Sequence, residues 1–468
     1  VMQFQRVADE IRRAIEQGRW HVGEALPSER KTAEEFGVSR STVRRAWEEL
    51  QSLGYVHWTA ASAPIVVNIP LRPVPINPSL IGKDLPYRPS STFLSDLMSA
   101  ASSSARYNFE IGMPDPDLLP IHELQEIVRD LLSQHVREVF SYSPTQGIAR
   151  VRQALSEEYL SRRGVAADPD NILITSGSLQ GLDYVTSLLS RAGDYIVTES
   201  PTFAGALQIF ASHGAQVLAV PMDEEGIRVE PLAQALAQHP VRMIYVQTFF
   251  HNPTSTVMSL ARRQAVLALS QKYQVPIVED DAYGFLATAN PQPLYALAPG
   301  DAPVIYLNTL SKLLAPGLRV GMVVAPRDII QYLSQRKQLG DLHTGTVTQL
   351  LVEGWLRSGN VTQHIARAQT IYASRMRIAS ELIRRRGLFL FGHPTGGFYL
   401  FVQLPKHINA YALHDYAAQR DVLFAPGEAF GIGDRYRGWI RLCVSALGTT
   451  AIQNGMARFF RMLDTFSP

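Results

Sequence analysis

Lys312 stands in the run Thr309-Leu-Ser311-Lys312-Leu-Leu-Ala-Pro-Gly-Leu-Arg319-Val-Gly321. A lysine attacks a carbonyl only as the neutral amine, so it needs burial or cationic neighbours to lower its pKa. Arg319 supplies such a charge, and its planar guanidinium also pairs with a phosphate. Thr309 and Ser311 add hydroxyl donors. Together these side chains suit an aldehyde that carries a phosphate, which is pyridoxal phosphate (PLP). An ordinary basic loop after a strand would carry the same residues, so the case rests on other segments.

Several of these supply what such chemistry needs. Ser176-Gly177-Ser178-Leu179-Gln180 follows a strand pattern and opens a helix, where backbone N–H groups and the helix dipole favour a phosphate dianion. Glu279-Asp280-Asp281-Ala-Tyr283 ends a strand. A carboxylate there would keep a pyridinium nitrogen protonated, and a tyrosine three residues on would reach the ring's phenolate oxygen. Paired acids after a strand also bind cations or cap helices. Asn252-Pro253-Thr254 offers an amide to the same oxygen, or is a plain Asn-Pro turn. Phe203 is placed to stack on the ring or to join the core. Arg441, in the apolar run Trp439-Ile-Arg441-Leu-Cys443, is costly to bury unless it grips an acid: a ligand's carboxylate or an internal partner.

The elements that must hold these residues form three regions. From Tyr107 onward, short apolar runs alternate with helix patterns: 171–175, 195–198, 216–220, 243–246, 276–278 and 304–307. Buried parallel strands with helical crossovers look like this. The spacing predicts a mostly parallel α/β domain over 107–326 and a smaller α+β domain over 327–468, with strands near 397–402 and 439–444. Residues 70–106 repeat proline and then Ser/Ala, a composition that reads as an extended linker.

Residues 1–69 read as three helices and a strand pair. The first helix places Phe4, Val7, Ala8, Ile11, Ala14 and Ile15 at helical spacing and ends near Gly18. Ser28 caps a second helix that ends at Phe36-Gly37, and Ser39 caps a third running towards Leu53-Gly54. Two short helices joined by so tight a turn form a helix-turn-helix. Tyr55–Thr59 and 65–67 are strand-like, with a turn over 60–64. Acidic and basic residues are equally numerous in this module, yet no acid lies between Ser39 and Trp47. Arg40, Arg44 and Arg45 therefore concentrate positive charge where a recognition helix meets the major groove, with Ser39, Ser41 and Thr42 as short phosphate donors and Arg30 as a further backbone contact. A solvated face on a protein-interaction domain is the alternative.

Composition narrows the classes further. The chain has 468 residues, 46% of them apolar, and a formal net charge of +2. This length allows about two to four domains. No uninterrupted apolar run is long enough to span a membrane, and the amphipathic start does not read as a signal peptide. A single cysteine excludes an internal disulfide and fits a reducing cytoplasm. No His/Cys spacing resembles a metal site, and Gly431-Ile-Gly433 lacks the full dinucleotide fingerprint.

Two resemblances carry the reading further. Leu26-Pro-Ser-Glu-Arg30, Phe36-Gly-Val-Ser-Arg-Ser-Thr-Val-Arg-Arg-Ala46, Leu50 and Gly54-Tyr55 resemble the winged helix-turn-helix of GntR-type bacterial repressors, although the wing tip has neither the Gly nor the Arg usual there. From Tyr107 to the end, the order and gaps of the segments resemble fold-type I, class I aminotransferases. Gly112-Met-Pro-Asp115, Tyr142 with Gly147, Gly396-Gly397-Phe398 and Pro426-Gly427 match further landmarks. That likeness implies that Lys312 is the Schiff-base lysine, Asp280 pairs the pyridine nitrogen, and Asn252 and Tyr283 hold the phenolate oxygen. Ser178, Leu179, Thr309, Ser311 and Arg319 would bind phosphate, Phe203 would stack, and Tyr142 would reach the phosphate of a neighbouring subunit, implying a homodimer. Arg441, beside Gly112, would take an effector's carboxylate. Two departures are visible: Ser255 replaces a usual Gly at a position that may call for positive φ, and Phe203 lacks a tyrosine's hydroxyl.

The combination resembles the MocR family of bacterial transcription regulators. It implies a cytoplasmic, PLP-dependent reader of double-stranded DNA that responds to PLP, an amino acid or an amine, with no role at a membrane. An active aminotransferase that carries a DNA-binding module is the alternative, and the site motifs leave turnover open.

Overall fold

The computed structural model describes residues 3–16, 18–59, 62–67, 105–288, 292–298 and 303–466, and the statements below concern these. The chain divides into two compact units, Val1–Leu85 and Pro86–Pro468. The expected linker over 70–106 lies outside the described residues except at its last two positions, as do positions 60 and 61 of the wing tip.

In the first unit, α1 (Gln3–Glu16) buries Val7, Ala8, Ile11 and Ile15. Helix α2 (Glu29–Phe36) starts where the Ser28 side chain accepts from the Lys31 amide and stops at Gly37, whose φ of 61° only glycine adopts at no steric cost. Ser39 caps α3 (Arg40–Ser52) through the Thr42 amide. Val43, Ala46, Trp47 and Leu50 of α3 close on α1, on Leu26 and on Tyr55, Val56 and Val66. The wing is the antiparallel pair β1 (Val56–His57) and β2 (Ile65–Val66), with His57 opposite Ile65. It is shorter than the sequence pattern suggested. The indole N–H of Trp58 donates to the Ser62 carbonyl at 3.1 Å and ties the wing's base.

The second unit contains two sheets. Strand β3 (Tyr107–Phe109) precedes a set comprising β4 (Ile172–Thr175), β5 (Tyr195–Ser200), β6 (Gln216–Asp223), β7 (Gly226–Ile227), β8 (Val241–Val246), β9 (Ile277–Asp280), β10 (Val304–Thr309) and β11 (Gly321–Val324). These eight lie in the order β4-β11-β10-β9-β8-β5-β6-β7. The run from β10 to β6 is parallel, and β11 is antiparallel to both its neighbours. Strands β4, β9 and β10 are buried along their whole length, because helices cover both faces of the sheet. The six expected strands are all present. β11 had no separate signature, being four residues directly after the Arg319 turn.

The second sheet, ordered β12-β13-β15-β14-β3, joins β12 (Phe389–Leu390), β13 (Tyr399–Gln403), β14 (Val422–Pro426) and β15 (Trp439–Cys443) to β3. This corrects the expected division of the chain at 107 and 327. Tyr107–Phe109 pairs in parallel with β14 and belongs to the small sheet. Conversely, Ile330, Leu333, Leu350, Trp355 and Val361 pack into the cores of the large one. The change of core falls inside the helix Val361–Arg385, between Tyr372 and Met376. A continuous helix gives no sequence signal there. No helix among the described residues is long and apolar enough to cross a membrane.

Candidate functional site

The carboxyl ends of the parallel strands gather the segments singled out in the sequence. After β4 the chain turns at Gly177, with φ of 99°, into the helix Ser178–Leu189, whose first turn has no side-chain cap. The amides of Ser178 and Leu179 open that helix. Arg319, in the left-handed region at φ of 53°, lies across the turn. Its Nη2 donates to the Ser176 carbonyl at 3.1 Å and its Nη1 to Ser311 Oγ at 3.4 Å. A Cβ on Gly177 would run into that guanidinium, and one on Gly321 would come within 2.6 Å of the Gly177 backbone. Glycine is therefore required for helix start, arginine and strand β11 to converge. The Thr309 hydroxyl is 3.0 Å from Ser311 Oγ, completing a cradle of backbone N–H, hydroxyl and guanidinium donors suited to a phosphate.

Behind this cradle lies a network that no spacing announced. Asp341 accepts from Ser176 Oγ at 3.2 Å, from Gln180 Nε2 at 2.9 Å and from Lys337 Nζ at 2.7 Å. The lysine's amine and these hydrogen bonds lower the Asp341 pKa against the opposing effect of burial. The network fixes the turn from which the Ser178 and Leu179 amides project.

Lys312 lies in the connection between β10 and β11, which pair antiparallel from Thr309 opposite Gly321. Its Nζ donates to the Gly112 carbonyl at 2.6 Å. The residue keeps some exposed surface, yet its amine is packed among protein atoms. Burial first, then the charges of Arg441 and Arg319, pushes its pKa down to about 8, while Cys443 and Asp280 oppose that shift. A lowered pKa makes far more neutral amine available near pH 7 to 8 than an ordinary lysine has, and neutral amine is what a carbonyl nucleophile requires.

The three acids ending β9 separate by role. Glu279 accepts from Thr248 Oγ1 and from the amides of Leu294 and Tyr295, which holds a loop. Asp281 pairs with Arg163 at 3.0 Å and accepts from the Tyr306 hydroxyl. Asp280, pointing the other way as strand alternation demands, accepts from the Tyr245 hydroxyl at 2.8 Å through Oδ2. Its Oδ1 is buried with no partner among the described residues. Burial raises its pKa to about 6 against the Tyr245 hydrogen bond. A buried carboxylate oxygen left open calls for a cationic N–H donor, and a protonated pyridine nitrogen is one. This orphan oxygen, the depressed lysine and the phosphate cradle fit PLP.

Arg441 is 2% exposed. Its Nη1 donates to Asn252 Oδ1 at 3.1 Å, its Nη2 donates to the Glu110 carbonyl, and its Nε has no partner among the described residues. The guanidinium lies between the rings of Tyr399 at 4.6 Å and Phe430 at 4.9 Å. Because Asn252 Oδ1 accepts from Arg441, its amide nitrogen is left as the donor end. Tyr283 is buried with its hydroxyl 2.6 Å from that of Tyr399. Phe203 caps the helix Ala204–Ser212, close enough that a Cβ on Gly205 would lie 2.6 Å from its ring. Ser255 adopts φ of 55°, as the departure from Gly anticipated, and uses its Oγ to accept the Tyr399 amide at 3.1 Å. Tyr142 is 87% exposed, its ring edge-on to His343. Hydrogen bonds, ring contacts and electrostatic interactions link Lys312 with Gly112, Asp280, Arg319 and Arg441, Arg441 with Asn252, and Arg319 with Ser311, and they bring Tyr245, Tyr399, Lys337 and Asp341 beside these residues.

On the first unit, Arg30, Ser39, Arg40, Ser41, Arg44 and Arg45 are exposed and Thr42 is half-buried. Arg44 Nε donates to Glu29 at 2.9 Å, Arg30 to Glu34 at 3.0 Å, and Arg45 lies over the Phe4 ring at 4.7 Å. Ser39 Oγ is 2.8 Å from both Ser41 Oγ and Thr42 Oγ1, so these hydroxyls are occupied in capping α3.

Comparison with known proteins agrees with both units. Residues 109–459 match the model of the family aminotransferase class I and II, and residues 3–62 match that of bacterial regulatory proteins, gntR family. An uncharacterized HTH-type transcriptional regulator of Bacillus subtilis, YdfD, is 28% identical over 97% of this chain and 94% of its own. The 2-aminoadipate transaminase of Thermus thermophilus is 31% identical over 80% of this chain and 94% of its own. The crystal structure of LysN, the α-aminoadipate aminotransferase of Thermus thermophilus, complexed with N-(5'-phosphopyridoxyl)-L-leucine, superimposes with a TM-score of 0.75 at 30% identity. It covers 81% of this chain and 96% of that one. The chain therefore belongs to the aminotransferase class I and II family and, with its GntR-family helix-turn-helix, is a PLP-dependent, DNA-binding transcription regulator of the MocR type.

Proposed function

We propose that the second unit is a sensor in which Lys312 holds PLP and Arg441 takes the carboxylate of an amino acid, while α3 of the first unit reads double-stranded DNA. Held by Lys312, PLP would supply a carbon at which one amine can replace another and a ring that withdraws electrons. The chain's residues do the rest. Asp280 holds the proton on the ring nitrogen, Asn252 and Tyr283 donate to the phenolate oxygen, and Phe203 stacks on the ring. Ser178, Leu179, Thr309, Ser311 and Arg319 bind the phosphate, and Gly112 lies beside the carboxylate. The exposure of Tyr142 fits a residue that serves the site of a neighbouring subunit, so the working unit is a homodimer. In the first unit, Arg30 contacts the DNA backbone, and Arg40 and Arg44 reach base edges.

One observation carries the sensing reading: the Lys312 amine feels the charges of both Asp280, with its open oxygen, and Arg441, in a chain that also bears a helix-turn-helix. The test is a spectral titration of the purified protein with a panel of amino acids and amines, 2-aminoadipate among them. A visible cofactor band should be perturbed by some amino acids, and Arg441→Ala should keep the band and lose the response. If PLP alone shifts DNA binding, and Arg441→Ala responds like the wild type, the amino-acid part of the reading is wrong.

The complete set of Lys312, Asp280, Tyr283 and Arg441 also favours a second reading, a working transaminase whose DNA module tunes expression. Steady keto-acid production at about 1 per second or faster supports it, and a single slow half-reaction supports the sensor.

A further inference from the structure

Tyr399 bears no motif of its own, yet it meets several parts of the pocket. It is 1% exposed on β13. Its hydroxyl is 2.6 Å from that of Tyr283, its one hydrogen-bond partner among the described residues. Its ring is one of the two faces that hold the Arg441 guanidinium. A Cβ on Gly112 would collide with its hydroxyl, so the segment that accepts from Lys312 rests directly on it. Its backbone N–H is fixed by Ser255 Oγ, from a residue that accepts a left-handed backbone. Burial pushes its phenol up to about 12, so it keeps its proton throughout the neutral range.

Each phenol has a single proton to give. If Tyr283 donated to Tyr399, nothing would remain for the cofactor. If Tyr399 donates, the Tyr283 oxygen is satisfied as an acceptor and its proton points elsewhere. We propose that Tyr399 is a positioning residue: its hydroxyl donates to Tyr283 and so commits the Tyr283 proton to the phenolate oxygen of PLP, while its ring holds Arg441 for an incoming carboxylate. One tyrosine of the small sheet then links the cofactor's electronics to the carboxylate clamp. The inference rests on the PLP reading above. The other charged or titratable groups that interact with the two phenols include Arg441 and Cys443, both on β15, and Tyr245 on β8.

The test is a pH titration of the visible absorbance of the PLP-loaded, full-length protein. A donor to a phenolate stabilises its charged form, so weakening that donor lets the cofactor hold its proton to higher pH. Tyr399→Phe keeps the ring and should raise the midpoint by about half a pH unit, the scale of one neutral hydrogen bond. Tyr283→Phe should raise it more. Because Tyr399 acts through Tyr283, the double variant should move no further than Tyr283→Phe alone. An unchanged midpoint in Tyr399→Phe, or shifts that add in the double variant, overturns the proposal. Tyr399→Leu, which also removes the ring, should weaken the amino-acid response more than Tyr399→Phe does, and equal responses would refute the role of the ring. Absence of a visible band in the wild type would instead overturn the PLP reading itself, and a band of undiminished height in Lys312→Ala would overturn the place of Lys312 in it.

Discussion

On α3, Arg44 keeps 60% of its side chain exposed while it hydrogen-bonds Glu29, whereas Arg441 in the second unit is 2% exposed between two aromatic rings. The first arrangement leaves charges in a high dielectric, where they are cheap to hold and weakly paired. They suit a polyanion whose affinity accumulates over many contacts and falls with salt. The second holds a charge where water is excluded and each hydrogen bond is strong. It suits one small anion in one geometry. The same residue type is thus held in a way that suits an extended partner in one unit and a discrete ligand in the other.

The strongest way to break this contrast is at the covalent anchor. Lys312→Ala should abolish the visible cofactor band in purified protein, and a band of undiminished height would mean the pocket holds PLP some other way. Next in size, Arg319→Ala should weaken PLP binding about 10- to 100-fold in an equilibrium titration, as expected for losing charge-assisted hydrogen bonds to a phosphate. Unchanged affinity would place the phosphate elsewhere. In the other unit, Arg44→Ala should cost about tenfold in operator affinity and leave the cofactor spectrum untouched. A footprint that does not change would remove Arg44 from the interface.

The smallest effect concerns the lysine in cofactor-free protein. Its folded pKa, about 8, lies below the ordinary 10.5, so the fold disfavours the charged form. Between those values the unfolded chain binds more protons, and stability rises with pH. Lys312→Met should therefore raise the thermal midpoint below about pH 8, with the gain shrinking towards pH 10.5. A gain that is constant across this window would mean the lysine's charge is not what costs stability.

What was legible followed from how local each signal is. Ser28, Gly37 and Ser39 act on their own helix ends, so the helix-turn-helix could be read almost residue by residue. The strands ending at Thr175, Asp280 and Thr309 announced themselves as buried apolar runs, which located the strand ends where the candidate residues lie. Tyr245 and Tyr399 were invisible because their partners, Asp280 and Tyr283, lie 35 and 116 positions away. Lys337 and Asp341 sit four apart on an unremarkable amphipathic stretch, and only the fold brings Ser176 to them.

The carbonyls of Glu110 and Gly112 already accept from Arg441 and Lys312. A carboxylate drawn to Arg441 would therefore compete with the Glu110 carbonyl for the same guanidinium, and its apparent affinity would be reduced by the fraction of time that carbonyl holds it. The segment that follows β3 would then feel the arrival of such a ligand directly, through its own backbone.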